Sequence, residues 1–306
     1  MTIRTSTLVG LIAVLLWATL APLTVLASGV PPLQLVAMSF TLGAMIGAGY
    51  LILRPDARRE LRRVTLPAAL VGVCGLLGFH FFYFLSLSLA PPLEANLVNY
   101  LWPLLIVLFS ALLPNAGGRL KAHHIIGALI AFGGAILAIT KGERLPVISS
   151  DALAGYGIAL LSALTWSSYS VASRLFVGVP SSAVTLYCAA TAASAAIAHA
   201  ALETTHWPLA PLQWIAAIGL GLGPVGFAFY VWDYGCKHGD LRVLGASAYF
   251  APLLSTVLLV VFGLADGSPA LWLAALAITG GAMLASKDMI GRGKTASTLA
   301  KKEASV

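Results

Sequence analysis

Six aromatic residues that carry polar atoms lie near the middle of long apolar segments. They are Trp17, Tyr100, Trp102, Trp166, Tyr169 and Tyr249. Tryptophan and tyrosine in membrane proteins normally concentrate at the two membrane surfaces, whereas an indole N–H or a phenol O–H within hydrocarbon needs a hydrogen-bonding partner. We therefore expect these rings to face the interior of a helix bundle, where they can stack on an aromatic solute or attract a cation to a ring face.

Other polar side chains recur at helical spacing, so that each group shares one helix face. The predicted faces are His80 with Tyr83 and Leu87, Asn96 with Asn99 and Pro103, Trp166 with Ser170 and Ser173, and Ser247 with Ala251 and Ser255. For any single residue, plain helix packing explains the position equally well. The whole set favours a cavity lined by rings, hydroxyls and amides, which suits a net-neutral, amphipathic solute with an apolar or aromatic part.

Enzymatic and metal chemistry find no support in the motifs. The sequence contains no HExxH zinc motif, no GxSxG nucleophile motif and no GxxxxGK[ST] phosphate-binding loop, so we predict that the protein is not an enzyme. The spacing of Cys74, Cys188 and Cys236 fits neither a zinc site nor a disulfide framework. Neither a metal nor another cofactor is predicted. His80 is the one histidine near the middle of an apolar span, and two interpretations of it stay open: a neutral, hydrogen-bonded packing residue, or a residue that contacts a solute.

The elements that must position these residues are membrane-spanning helices. The 306 residues are 59% hydrophobic and only 9% charged, with a mean hydropathy of +0.93, whereas soluble chains carry about 25% charged residues. Apolar runs of about 20 residues, the length that crosses a bilayer, recur along nearly the whole chain. We predict an all-α integral membrane protein with ten transmembrane helices, at about 6–27, 32–53, 66–89, 92–113, 122–140, 153–175, 182–202, 211–236, 242–263 and 269–287.

The distribution of basic residues predicts the orientation of these helices. The connections between ten spans alternate between the two sides of the membrane. Sixteen of the 18 lysines and arginines lie on the same side as the two termini, and only Lys141 and Arg144 lie on the opposite side. The positive-inside rule places the side with the sixteen basic residues and both termini in the cytoplasm. The formal net charge of +7 is therefore a topology signal, and no nucleic-acid partner is predicted.

The sequence repeats itself, mostly at an offset of 149 residues. Matches include Trp17 with Trp166, Gly29-Val30-Pro31 with Gly178-Val179-Pro180, Gly72 with Gly221, Tyr100 with Tyr249, Pro103-Leu104-Leu105 with Pro252-Leu253-Leu254, and Gly133-Gly134-Ala135 with Gly280-Gly281-Ala282 at an offset of 147. We predict repeats at 1–143 and 152–288, a linker at 144–151 and a disordered cytoplasmic tail at 289–306. Because each repeat has five spans, an odd number, the second inserts upside down, as in transporters with a midplane site.

Pro103 and Pro252 occupy corresponding positions in two of these spans. A proline offers no N–H to the carbonyl four residues earlier, here that of Asn99 or Ala248. Membranes tolerate such breaks where protein or a water-lined cavity satisfies the freed carbonyl. We predict that the two prolines are hinges beside the substrate site.

The two inverted halves, Trp17 in the first span, and the run Tyr100-Leu101-Trp102-Pro103-Leu104 in the fourth resemble the drug/metabolite transporter superfamily, EamA type. Within it, the chain most resembles the YddG-type aromatic amino acid exporters. The residues that carry this closer resemblance are His80, Tyr83, Tyr100, Trp102 and Pro103. The second copy departs from the pattern, with Ala251 in place of Trp102.

The resemblance implies a bacterial inner-membrane protein that exports aromatic and other amino acids, or aromatic cations, through a central cavity by alternating access. We predict a monomer with a small-molecule substrate, within the lipid bilayer. The predicted substrate-binding residues are Trp17, His80, Tyr83, Asn99, Tyr100, Trp102, Pro103, Trp166, Tyr169, Ser247, Tyr249 and Ser255. Alternatives that stay open are export of cationic drugs or other metabolites, a channel-like facilitator, and a structural membrane protein. Only two acids, Glu94 and Asp233, approach a span interior, which favours downhill transport without ion coupling.

Overall fold

The computed structural model describes residues 3–112, 121–142, 149–176, 178–238, 244, 247–248, 250–285 and 287. These residues form helices joined by short links, with no β-strand among them. The first half contains α1 (Ile3–Ala18), α2 (Leu20–Leu26), α3 (Pro32–Leu53), α4 (Pro55–Glu60), α5 (Leu66–Leu89), α6 (Pro92–Asn99), α7 (Trp102–Leu112) and α8 (Ala122–Thr140). The second half contains α9 (Ser150–Ala172), α10 (Ala183–Leu202), α11 (Pro211–Leu222), α12 (Ala228–His238), α13 (Ala251–Val261) and α14 (Pro269–Ala285). Of the predicted linker only residues 149–151 are described, and the predicted tail at 289–306 lies outside the described residues.

Within the described segments, six stretches of helix are long and apolar enough to cross a membrane. They are Ile3–Leu26, Pro32–Leu53, Leu66–Leu89, Ala122–Thr140, Ala183–Leu202 and Pro211–Trp232. The predicted all-helical membrane character is therefore confirmed. The predicted number of ten is not confirmed, because the fourth span is divided between α6 and α7, α9 carries five serines, and α13 and α14 have only 11 and 17 residues.

The helices that contain Pro103 and Pro252 are interrupted at corresponding places. A turn at Tyr100–Leu101 separates α6 from α7, which begins at Trp102. In the second half Phe250, the counterpart of Leu101, is in a turn directly before α13. In each half a new helix thus begins one residue before the proline.

Two further spans are irregular. α1 and α2 are separated at Thr19, three residues before Pro22, and the Thr19 hydroxyl donates a hydrogen bond to the Leu16 carbonyl at 2.6 Å. A π-helical segment at Gly223–Phe227, which includes Pro224, separates α11 from α12. Wider turns of this kind often occur at functional sites.

Each long helix of the first half packs along a helix of the second half. α3 packs against α10 and α8 against α14, while the other two large contacts join α5 to α9 and α1 to α12. By the sequence repeat, α9 corresponds to α1 and α12 corresponds to the end of α5. If each helix is replaced by its counterpart in the other half, the α5–α9 contact therefore becomes the α1–α12 contact.

Small residues bring α8 and α14 into close contact. A Cβ added to Gly127 would lie 2.5 Å from the Gly281 carbonyl oxygen, and one added to Gly281 would lie 2.5 Å from that of Gly127. Gly134 meets Ala274 similarly, because its Cβ would lie 3.0 Å from the Ala274 carbonyl oxygen. Helices in lipid associate through such close packing, since lipid chains are as apolar as the side chains.

Gly127→Val and Gly281→Val are expected to lower the melting temperature of the detergent-solubilised protein, because a branched side chain would overlap the facing backbone. Overpacking of this kind costs about 1–3 kcal/mol. Gly133→Val and Gly280→Val are matched controls, since nothing lies within 4 Å of a Cβ at either position. Equal melting temperatures for all four variants would contradict the importance of this contact.

Candidate substrate-binding cavity

A cavity with about 460 Å³ of empty space, part of which is open to the surroundings, lies between the two halves, where the interrupted helices meet. The lining residues come from α1, α2, α5, α6, α9, α12, the 100–101 turn and the starts of α7 and α13. They are Trp17, Leu20, Phe79, His80, Tyr83, Asn96, Asn99, Tyr100, Trp102, Trp166, Phe229 and Ala251. Seven predicted substrate residues are thus brought together here: Trp17, His80, Tyr83, Asn99, Tyr100, Trp102 and Trp166.

Trp166 is at the centre of the aromatic lining. Its ring centroid lies 5.0 Å from that of Phe79, 6.4 Å from that of Trp102 and 5.8 Å from that of Phe229. Trp17 joins the cluster through Phe229, at 6.2 Å. These separations are those of interacting aromatic pairs, about 4.5–7 Å. A solute with an apolar or aromatic part would therefore replace ring–ring contacts with similar contacts of its own.

His80 is almost fully buried, with 1% of its surface exposed, and its ring is held in one orientation. Its Nδ1 lies 2.9 Å from the Leu76 carbonyl oxygen, and because a carbonyl can only accept, Nδ1 carries the hydrogen. In the neutral ring this leaves Nε2 as an acceptor. The rings of Phe40 and Phe79 lie edge-on to the imidazole, each at 4.8 Å.

A buried chain of polar side chains crosses from the first half to the second. The Tyr83 hydroxyl donates to Asn96 Oδ1 at 2.8 Å, and Asn96 Nδ2 donates to the Ser255 hydroxyl at 2.9 Å. The Tyr100 hydroxyl lies beside Ser255 as well. The chain connects α5, the broken span of α6 and α7, and α13.

The cavity carries no fixed charge. Aspartate, glutamate, lysine and arginine are absent from its described lining. The carboxylate of Glu94 is buried but paired, with Oε1 2.7 Å from Nζ of Lys141, and the side chain of Asp233 lies outside what the structure describes. Across the described ranges, histidine, cysteine, aspartate and glutamate form no group of three that could hold a metal ion.

The sequence profile of the EamA-like transporter family matches this chain twice, at residues 4–140 and 153–287. The chain belongs to this family. The predicted EamA-type resemblance is confirmed, and membership of a transporter family indicates a protein that is not an enzyme.

Several relatives cover this EamA-like transporter almost completely. A protein of Ancylobacter novellus named aromatic amino acid exporter YddG is 47% identical over 281 residues, which are 92% of this chain and 96% of the relative. Proteins of the same name from Salmonella typhimurium and Escherichia coli are 27% and 28% identical, over 93% of this chain and 97% of their own lengths. A chain of known crystal structure that is 47% identical superposes with a TM-score of 0.72, over 92% of this chain and 97% of its own.

The other predicted substrate residues are not among the described residues that line the cavity. Tyr169 packs against Trp166 at 5.3 Å, and its ring lies over Gly75. The Ser255 hydroxyl accepts a hydrogen bond from Asn96, which does line the cavity. Pro103 follows Trp102 in the first turn of α7. The backbone of Ser247 is helical, and Tyr249 lies outside the described residues.

Other lining residues of this transporter were absent from the predicted set. Phe79 and Phe229 form much of the aromatic wall, but phenylalanine has no polar atom to distinguish a cavity position from a packing position. Asn96 shares the predicted face of Asn99, and that spacing is the signal that identifies it. Ala251 lines the cavity as Trp102 does, so the first copy supplies a ring where the second supplies a methyl group.

Ser255→Ala is expected to lower the free energy of unfolding by about 0.6–1.7 kcal/mol, the range of hydrogen bonds between membrane helices, because Asn96 Nδ2 loses its acceptor. Thr256→Val is the control, since the buried Thr256 hydroxyl donates within its own helix, to the Pro252 carbonyl at 2.9 Å. A double-mutant cycle of Ser255→Ala with Asn96→Ala in mixed micelles measures the coupling. Additive costs would contradict a link between the halves.

Proposed function

We propose that this EamA-like transporter exports aromatic and other amphipathic amino acids from the cytoplasm by alternating access. The main support is a cavity lined by rings and hydrogen-bonding groups without a fixed charge. The solute that fits such a lining is net-neutral overall and has a sizeable apolar part. The 47% identical relative is named an aromatic amino acid exporter, which agrees with this substrate class.

An acceptor for the substrate's ammonium group is available at the broken fourth span. Asn99 lines the cavity, and its Oδ1 is buried without a hydrogen-bonding partner among the described residues. A buried acceptor left unpaired is costly, and a bound ammonium group would remove that cost. The Asn99 carbonyl adds a second acceptor, because Pro103 has no N–H to offer it.

The rings are proposed to bind the apolar part of the substrate. Trp102 and Trp166 stand perpendicular to each other, with an interplanar angle of 81°, so an aromatic side chain that packs against both meets the face of one ring and the edge of the other. A permanent cation is less well matched, because the described lining has no carboxylate to balance its charge.

The proposed topology has ten transmembrane helices in two inverted repeats, 1–143 and 152–288, joined by a linker at 144–151. Two matches to one family profile support it, as does the interchange of helix contacts between the halves. The basic residues support a cytoplasmic location for both termini and for the tail at 289–306. The protein is proposed to act as a monomer in the inner membrane of a bacterium.

Pro103 and Pro252 are proposed to be the hinges. Each follows an interruption at a corresponding place in its half. The hydrogen bond between Asn96 and Ser255 connects the two interrupted spans. Movement of one broken span would therefore displace the other. Rocking of the halves about this region would open the cavity to one side at a time.

Proteoliposomes loaded with labelled phenylalanine are expected to release it faster than protein-free liposomes, with or without a proton gradient. Release should saturate with phenylalanine concentration and be inhibited by tryptophan and tyrosine. Tetraphenylphosphonium tests the alternative of cationic drugs. Release at the protein-free rate would contradict amino acid export, and release that never saturates would indicate a channel.

Trp102→Ala is expected to reduce phenylalanine transport about five- to tenfold, because the substrate loses one of its two perpendicular rings. Trp272→Ala is the matched control, since Trp272 is not among the described cavity-lining residues and its indole lies beside Gly267. Transport by the control should stay within about twofold of wild type. Equal losses in the two variants would remove Trp102 from the proposed site.

A further inference from the structure

A second pocket lies at the end of the bundle that the basic residues assign to the cytoplasm. It contains about 1180 Å³ of empty space, part of which is open to the surroundings. Four aromatic residues, Tyr50, Phe227, Tyr230 and Tyr234, line it together with Glu60. We name this pocket the vestibule. It draws its walls from both halves, as the central cavity does.

α12 separates the vestibule from the central cavity. Phe229 lines the central cavity, and the next residue, Tyr230, lines the vestibule. The π-helical segment Gly223–Phe227 directly precedes α12, and Phe227 at its end also lines the vestibule. A solute in the vestibule is therefore one helix away from the proposed substrate site.

Hydrogen bonds hold the vestibule walls in place. The Tyr230 hydroxyl donates to the Gly43 carbonyl at 3.2 Å and lies 3.3 Å from the Thr185 hydroxyl, so it joins α3, α10 and α12. Gly47 makes room for this contact, because a Cβ there would overlap both hydroxyl groups. The Ser182 hydroxyl donates to the Ala57 carbonyl at 3.3 Å and ties α4 to the start of α10.

Glu60 gives the vestibule a negative charge. It is the one charged residue in the described lining, and it forms no ion pair with any described residue. Asp56, the other acid of α4, is instead paired with Arg59 at 3.7 Å. A carboxylate beside several aromatic rings is the chemistry that binds an ammonium group. A ligand whose only charged group is a phosphate or a carboxylate would need lysine or arginine, and the described lining contains neither.

We propose that the vestibule captures the amino acid substrate on the cytoplasmic side before it reaches the central cavity. Glu60 binds the substrate's ammonium group, and the ring of Tyr50 packs against its aromatic side chain. This role rests on the proposed function, because it requires an amino acid substrate that arrives from the cytoplasm. Glu60 then favours solutes with a free ammonium group over anions before transport begins.

Glu60→Gln tests the proposal in proteoliposomes whose cytoplasmic face is outward. The half-saturating phenylalanine concentration at that face should rise about three- to fivefold, because an exposed charge pair is lost, while the maximal rate stays within about twofold. Asp56→Asn is the matched control, because Asp56 belongs to the same helix but does not line the described vestibule, and it should behave as wild type.

Tyr50→Leu tests the contribution of the ring. It should raise the half-saturating concentration for phenylalanine more than that for leucine, whereas Tyr50→Phe, which keeps the ring, should not. Equal half-saturating concentrations in wild type, Glu60→Gln and Asp56→Asn would overturn the vestibule as a capture site while leaving amino acid export intact. Absence of phenylalanine transport by the wild type would overturn both proposals.

The ethanolamine headgroup of a phospholipid carries the same ammonium chemistry as the substrate. The Glu60→Gln measurement is therefore made in two kinds of vesicle. The first contains phosphatidylethanolamine, and the second consists of phosphatidylglycerol and phosphatidylcholine without phosphatidylethanolamine. The same rise in both compositions supports capture of the free amino acid. A rise that occurs only with phosphatidylethanolamine would assign the vestibule to a lipid headgroup and overturn the proposal.

Discussion

The hydrocarbon core of a bilayer offers no hydrogen-bonding partner, so polar atoms at that depth must be satisfied within the protein. α9 shows how this chain meets the constraint. Its Ser162 hydroxyl donates to the Phe79 carbonyl at 3.0 Å. The single hydrogen of its Ser167 hydroxyl is shared between the Ala163 carbonyl of the same helix, at 2.7 Å, and the Trp102 carbonyl, at 3.0 Å. Two serines of α9 thus contact the backbone of other helices, including the start of α7 beside the broken fourth span, whereas Ser170 donates to the Trp166 carbonyl within α9.

Helix positions could be predicted well from the sequence because lipid-facing helices must be apolar over a fixed length. The ranges 32–53, 66–89 and 122–140 agree with the observed helices. The interruptions before Pro103 and Pro252 were also predictable, since proline removes a particular hydrogen bond. The interruption at Thr19 and the π-helical segment were not predicted, although Pro22 and Pro224 are the corresponding signals.

The predicted cavity residues that do line it all carry a polar atom, either on a ring, as in Tyr100, or on an amide, as in Asn99. Tyr100 and Tyr169 give the same signal in the sequence, yet Tyr100 lines the cavity and Tyr169 lies over Gly75. The difference depends on how each helix is rotated about its axis, which packing between distant helices determines. Phe229 gave no signal at all, because an apolar ring is equally at home in a packed core.

The crossing of α8 and α14 contains two contacts, Gly127 on Gly281 and Gly134 on Ala274. At the offset of 147, Gly127 corresponds to Ala274 and Gly134 to Gly281, so each contact is the image of the other. The surface that joins the halves is therefore complementary to a copy of itself in the opposite direction. One short pattern of small residues, used twice, therefore supplies both contacts of this crossing.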